Sequence, residues 1–166
     1  LNQQIEIRAA TLSSDVDFQA LATEYVGTTS KLLYFDNIEE VIQCVAKGDA
    51  EIGILPDLKL SIHGRWWPKL MNLHKNKKLN IISHLPVATS GAKKPDAFII
   101  AAQEPEISGN DTSVFIVDGD TYLVPGRMID EDGDKKLIFV DGYQQSLDAP
   151  AGIKWERIGA FPNPIV

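Results

Sequence analysis

The sequence predicts an α/β protein: a short parallel sheet with helices on its faces, followed by a β-rich C-terminal part. Three observations carry that expectation. Strand-like and helix-like segments alternate through the first half. The run Ala50–Leu55 is apolar throughout, as strands buried on both faces are. After residue 103 no helical periodicity recurs, and short β-branched or aromatic runs alternate with Gly- and Asp-containing turns.

Ile5 and Ile7 lead into Ala9-Ala10, a brief extended segment. Ser13, Ser14 and Asp15 offer caps for a helix whose buried stripe is Phe18, Leu21, Ala22 and Tyr25, stopped at Gly27. Leu32 to Phe35 reads as a strand. Asn37 and Glu40 have capping-box spacing, and Ile38, Val41, Ile42 and Val45 form the next helical stripe, ended by Gly48. Ala50 to Leu55 is the following strand, closed by Pro56. Strand, helix, strand in this order implies a right-handed crossover and a parallel pair. Residues 57 to 65 connect to a third predicted helix opened by Trp66-Trp67-Pro68 and carrying Leu70, Met71 and Leu73, with Lys75, Lys77 and Lys78 at its carbonyl end. Leu79 to Leu85 is a strand, residues 88 to 96 a turn-rich loop, and Ala97 to Ala102 a strand. Ser113–Val117 and Thr121–Val124 around Asp118-Gly119 predict a hairpin. Asp132-Gly133 before Lys136–Val140 predicts another tight turn and strand, and Lys154–Ile158 the last strand. The domains expected are 1–103 and 104–166.

The 166 residues can bury a core without disulfides. No apolar run approaches the ~20 residues of a membrane span. A net charge of −7 disfavours nucleic acid and anionic membrane surfaces as partners. The lone Cys44 fits a reducing, cytoplasmic compartment. A start at Leu1 without methionine fits a processed chain or a fragment.

Candidate chemistry is sparse. Asp130, Asp132 and Asp134 alternate like calcium-loop ligands, but Lys135 and Asp141 stand where glycine and a bidentate glutamate belong, so an acidic turn is expected. His63, His74 and His84 have no metal-ligand spacing, and one cysteine cannot build a thiolate zinc site, so no metal is expected. His84 ends a predicted central strand, where open α/β sheets bind ligands. Trp66-Trp67 is a stacking candidate weighed against packing. The hydroxyls of Thr112 and Ser113, after the Gly109-Asn110-Asp111 turn, can meet a carboxylate or simply cap that turn. No GxSxG elbow and no phosphate-cradling glycine loop is present, so no nucleotide cofactor is expected.

Several segments carry a resemblance. Val45-Ala46-Lys47-Gly48-Asp49-Ala50-Glu51-Ile52-Gly53-Ile54-Leu55-Pro56 resembles the V-x-x-G-x-A-D-x-G-[VI]-[LV]-P segment of prephenate dehydratases. Asn110-Asp111-Thr112-Ser113-Val114 stands where that family carries N-x-T-R-F. Leu137–Gly142 and Ile158-Gly159-Ala160-Phe161-Pro162 resemble the close of the attached ACT regulatory domain. A closer similarity is to the shortened dehydratase-like region that follows the helical chorismate mutase domain in alphaproteobacterial proteins. Its W-W-P-x-L, V-x-x-L-P, E-P-S-G-x-D-[RT] and V-D-G-[FY] motifs resemble Trp66–Leu70, Ile81–Pro86, Glu104–Thr112 and Val140–Tyr143 in the same order.

The resemblance implies a periplasmic-binding-protein-II-like α/β domain with an ACT-like close, in an aromatic amino-acid pathway. It assigns activation of the leaving hydroxyl to the threonine, and a bidentate hold on substrate carboxylate to an arginine. Here Asp57-Leu58-Lys59 replaces E-N-S, and Ser113 replaces the arginine. A neutral hydroxyl lacks both the charge and the fork geometry of a guanidinium. The expectation is a non-catalytic module, without catalytic residues, that binds a small aromatic acid of the prephenate, chorismate or phenylalanine class. Its ligand-binding candidates are Thr112, Ser113, His84, Arg65 and Trp66; a homodimer, or bracing of a mutase dimer, belongs to the same reading. The rivals are an active dehydratase taking its arginine from Arg65 or Arg127, mutase activity in a domain outside this chain, and a plain ligand-binding domain of the same shape.

Overall fold

A computed structural model describes residues 7–13, 16–27, 31–56, 58, 64–71, 78–85, 97–121 and 124–164 of the chain. The strands are β1 (Arg8–Leu12), β2 (Lys31–Phe35), β3 (Ile52–Pro56), β4 (Asn80–Leu85), β5 (Ala97–Ala101), β6 (Asp111–Asp118), β7 (Arg127–Asp132), β8 (Lys135–Asp141) and β9 (Lys154–Pro162). Two helices, α1 (Val16–Val26) and α2 (Ile38–Ala46), lie in the first half. All nine strands form one sheet in the order β2-β1-β3-β5-β4-β9-β6-β8-β7.

The first three strands are parallel as expected, but β2 and β3 do not pair directly, because β1 lies between them. β1 is parallel to both β2 and β3, and the helices cross between them. Helix α2 forms where its signals predicted: the Glu40 amide donates to Asn37 Oδ1 at 2.9 Å, and Asn37 Nδ2 donates to Glu40 Oε1 at 2.7 Å. Its stripe of Ile38, Val41, Ile42 and Val45 is buried against the sheet. Of the predicted α1 stripe, Ala22 is buried and Tyr25 exposed; the Phe18 and Leu21 side chains lie outside the described residues, as do His63, His74, Leu73 and the 88–96 loop.

Three expectations need correction. The sheet is mixed and not parallel throughout, because β5 runs antiparallel to both β3 and β4. Trp66-Trp67-Pro68 opens only a four-residue 3-10 turn, Trp67–Leu70, instead of a helix over the described residues. The hairpin expected at Asp118-Gly119 is not made by β6, whose two edges pair with β8 and β9; Tyr122 and Leu123 lie outside the described residues, and Val124–Gly126 is a bend. The sheet's own hairpin is β7–β8, turned at Gly133-Asp134, where the second tight turn was expected. Two eight- and nine-residue strands, β6 and β9, outcompete the short hairpin by pairing with each other along their full length.

Within the sheet the two halves join at one pair of strands. β4 pairs with β9 in parallel through Ile81 and Gly159. A single core continues across this seam, from Ala9, Val41 and Ile99 to Val114, Leu137, Ile158 and Phe161. Bulges interrupt β4 at Ile81/Ser83, β9 at Ile158, opposite Val114/Phe115 of β6, and β7 at Met128/Asp130. Each bulge bends its strand and adds twist, so the sheet curls and brings β7 back toward the turn that follows β3. There Trp66 Nε1 donates to Pro56 O at 2.8 Å while Trp67 Nε1 donates to Asp130 Oδ2 at 2.9 Å. Among the described residues no helix is long and apolar enough to cross a membrane.

Candidate functional site

Strand register builds a cavity on one face of the sheet. His84 on β4 stands opposite Phe98 on β5, Thr112 on β6 opposite Phe161 on β9, and Arg127 on β7 opposite Phe139 on β8. Six neighbouring strands, β5 to β7 across the sheet, thus contribute to a cavity of 320 Å³, β7 with two residues and the others with one each. Leu58, Ile129, Asn163 and Pro164 complete its wall. The volume is in the ~300–1,000 Å³ range of small-molecule sites.

Its floor is aromatic. His84 stacks on Phe98 with ring centroids 4.6 Å apart and 25° between planes. Phe161 meets Phe98 edge-on at 5.5 Å and Phe139 edge-on at 5.4 Å. Edge-to-face pairs of this kind add to simple burial and hold the rings in fixed orientations.

The polar lining groups differ in exposure: Thr112 is buried and Arg127 exposed. A local turn aims Thr112: the Ser108 amide and hydroxyl both donate to the buried Asp111 carboxylate, at 3.0 and 2.5 Å. The Thr112 hydroxyl donates to Asn163 Oδ1, and Asn163 Nδ2 donates to Asn110 Oδ1 at 2.8 Å. The Arg127 guanidinium lies 6.0 Å from the Phe139 centroid on an exposed residue, and among the described residues no carboxylate forms an ion pair with it. The residue before it, Gly126, has φ +102, and a Cβ there would stand 2.4 Å from Phe139 O. Only glycine brings the chain that close to β8 as β7 begins.

The five candidates separate. Thr112 and His84 line the cavity; Ser113, Arg65 and Trp66 do not. Ser113 is fully buried, its hydroxyl donating to Gly142 O at 2.7 Å and accepting from the Gln144 amide at 2.8 Å, so it holds the turn after β8. Trp66 is fully buried in the core. Arg65 is held by Asp130, with Nε 2.6 Å from Oδ2 and Nη2 3.3 Å from Oδ1, and by Asp132 at 3.7 Å. Burial pushes the Asp130 carboxyl up, but the hydrogen bonds from Arg65, Trp67 and the Glu131 backbone outweigh it and hold that group below its ordinary value. Asp130 and Asp132 thus serve an ion pair, and among the described residues no cluster of His, Cys, Asp and Glu is arranged for a metal.

The floor residues Phe98, Phe139 and Phe161 were not singled out from the sequence as a site. Their signals were placement on apolar strands, which marks core equally well, and, for Phe139 and Phe161, a place in the segments that resemble the ACT close. Arg127 was weighed only as a substitute arginine, and it is that residue that reaches the Thr112 cavity.

No protein-family model matches this chain, and no curated protein matches it in sequence. Solved structures do. The chain is similar to the quorum-quenching acylase GqqA at 12% identity and TM-score 0.63, covering 94% of this chain and 95% of that one. It is similar to the prephenate dehydratase of Streptococcus mutans at 14% identity and TM-score 0.52, covering 93% and 97%. The prephenate dehydratase of Arthrobacter aurescens in complex with L-Phe aligns at 12% identity and TM-score 0.64, covering 96% and 92%. At such identities the likeness is one of fold: the chain has a prephenate-dehydratase-like α/β fold.

Proposed function

We infer that this chain is a dehydratase-like binding module whose cavity takes a small aromatic monocarboxylate of the phenylpyruvate or phenylalanine kind. The observation that carries the reading is the pairing of a three-phenylalanine floor with one guanidinium, Arg127, free of carboxylate partners among the described residues. An aromatic ring stacks on the floor while a carboxylate reaches Arg127 through charge-assisted hydrogen bonds. One cation matches one carboxylate. The second carboxylate of prephenate or chorismate would be buried among apolar rings without a partner, which is unfavourable.

The same reading includes an ACT-like role for the C-terminal part and a place in aromatic amino-acid synthesis beside a helical mutase domain; its support is the motif series in the sequence. Non-catalytic character belongs to the same reading, and its support is the hydrogen bonding of Thr112. Its hydroxyl proton is donated to Asn163 Oδ1, so it is not offered to a leaving hydroxyl. A second reading, dehydration of prephenate, is favoured by Arg127 lining the same cavity as Thr112.

Calorimetry with phenylpyruvate, phenylalanine, prephenate and chorismate tests the first reading. The monocarboxylates are expected to bind and Arg127→Met to weaken them at least about tenfold, as loss of a hydrogen bond to a charged group does. No heat with any of the four removes it. Ultraviolet detection of phenylpyruvate released from prephenate tests the second: turnover abolished by Thr112→Ala establishes catalysis, and its absence leaves the binding module.

A further inference from the structure

A second cavity, of 580 Å³, shares no lining residue with the first. It lies along the opening residues of β4 and the first half of β9, and its charged lining residues are Lys78, Glu104, Glu156 and Arg157. The Arg157 guanidinium sets its chemistry. That side chain is 11% exposed, and its nearest carboxylate oxygen, Glu104 Oε2, is 3.7 Å from Nη1 on a side chain 75% exposed. Nε and Nη2 are sealed from solvent and have no acceptor among the described residues. The Tyr143 ring lies 4.7 Å from Cζ, and its hydroxyl donates to Pro105 O at 2.7 Å, which fixes the ring. An aromatic face attracts a cation but offers no acceptor for its N–H groups. A loose pair with a water-exposed carboxylate balances a buried charge poorly. Arg157 is therefore an under-compensated cation at the wall of a polar cavity.

We propose that this cavity binds a small polar monocarboxylate, seated at Arg157 Nη1 in place of Glu104. The lining charges select the class. Lys78 and Arg157 are opposed by Glu104 and Glu156, so a phosphate dianion meets repulsion that a monoanion largely escapes. Lys78 Nζ is 3.9 Å from Glu156 Oε1, too far for a hydrogen bond, and its ammonium keeps donors for the second carboxylate oxygen.

The Arg157 Nε–Hε resonance of ¹⁵N-labelled protein is the direct reporter, with sodium lactate as the probe. A saturable shift of that signal is expected. Glu104→Gln, which removes the competing carboxylate, tightens binding severalfold; Lys78→Gln weakens it; Arg127→Met, in the other cavity, leaves it unchanged. Arg157→Gln would remove the reporter itself, and the side chain is packed on Tyr143, so its loss can unfold the chain; the exposed Glu104 is therefore the deciding position. No saturable shift up to about 100 mM lactate, far above the range of weak specific sites, overturns the proposal. So does a shift indifferent to Glu104→Gln and Lys78→Gln, and so does inorganic phosphate binding as tightly as lactate.

Discussion

Asp130 shows how one side chain can tie distant parts of a sheet together. It accepts from Arg65 and from the fully buried Trp67 indole, and so pins the turn after β3 to the edge strand β7. Asp130→Ala leaves the Trp67 N–H without an acceptor, an expected loss of about 1–3 kcal/mol in urea unfolding. The pH dependence has a definite sign. The folded-state carboxyl titrates below its ordinary value, so its contribution is complete above the unfolded pKa of about 3.9 and is lost as pH falls through the folded value. The stability difference between the native chain and Asp130→Asn is therefore expected to be constant from neutral pH down to about 5 and to shrink below about 4. Neither Arg65–Asp130 nor Trp67–Asp130 was legible in the sequence, where the aspartate read as part of an acidic turn. Contacts 65 and 63 residues apart have no local signal.

At the scale of elements, local chemistry and long-range pairing divide the outcome. Helix α2 follows its cap, and Asn37→Ala is expected to cost about 1 kcal/mol, read from the thermal midpoint. The Trp66–Leu70 segment had an apolar start and a proline suited to a first turn, yet only one 3-10 turn forms. Its two indoles are fixed by Pro56 and Asp130, partners on separate strands. The β4–β9 seam depends on Gly159: at φ +154, a Cβ there would lie 2.2 Å from Ile81 O and 2.5 Å from Ile81 N. Both atoms are backbone and cannot step aside. Gly159→Ala is expected to destabilise by more than about 3 kcal/mol, the range of steric and backbone strain in a core, with amide exchange accelerating first in β4 and β9. The I-G-A-F-P motif containing this glycine was visible in the sequence, but its contact with Ile81 was not.

At the scale of the whole molecule, one sheet and one apolar core run through the boundary at residues 103 and 104. Unfolding is expected to be a single transition, with tryptophan fluorescence and far-ultraviolet circular dichroism coinciding in urea. Residues 1–103 alone, which would present the β4 edge and Phe98 to water, are expected to show no cooperative transition. The sequence by itself determined the parallel β1–β2–β3 unit, the second helix, the β-rich close and the likeness to the prephenate dehydratase fold, because each is written in spacing, caps or contiguous motif residues; it also named Thr112 and His84, which line the first cavity. Only the tertiary structure decided that β5 turns antiparallel, that Ser113, Trp66 and Arg65 serve the scaffold, and that Arg127 joins Thr112 above three phenylalanines. The physical reason is register. Whether a strand residue faces core, cavity or solvent is set by which strand lies beside it and by the bulges that curl the sheet, and those choices are made between segments far apart in the chain.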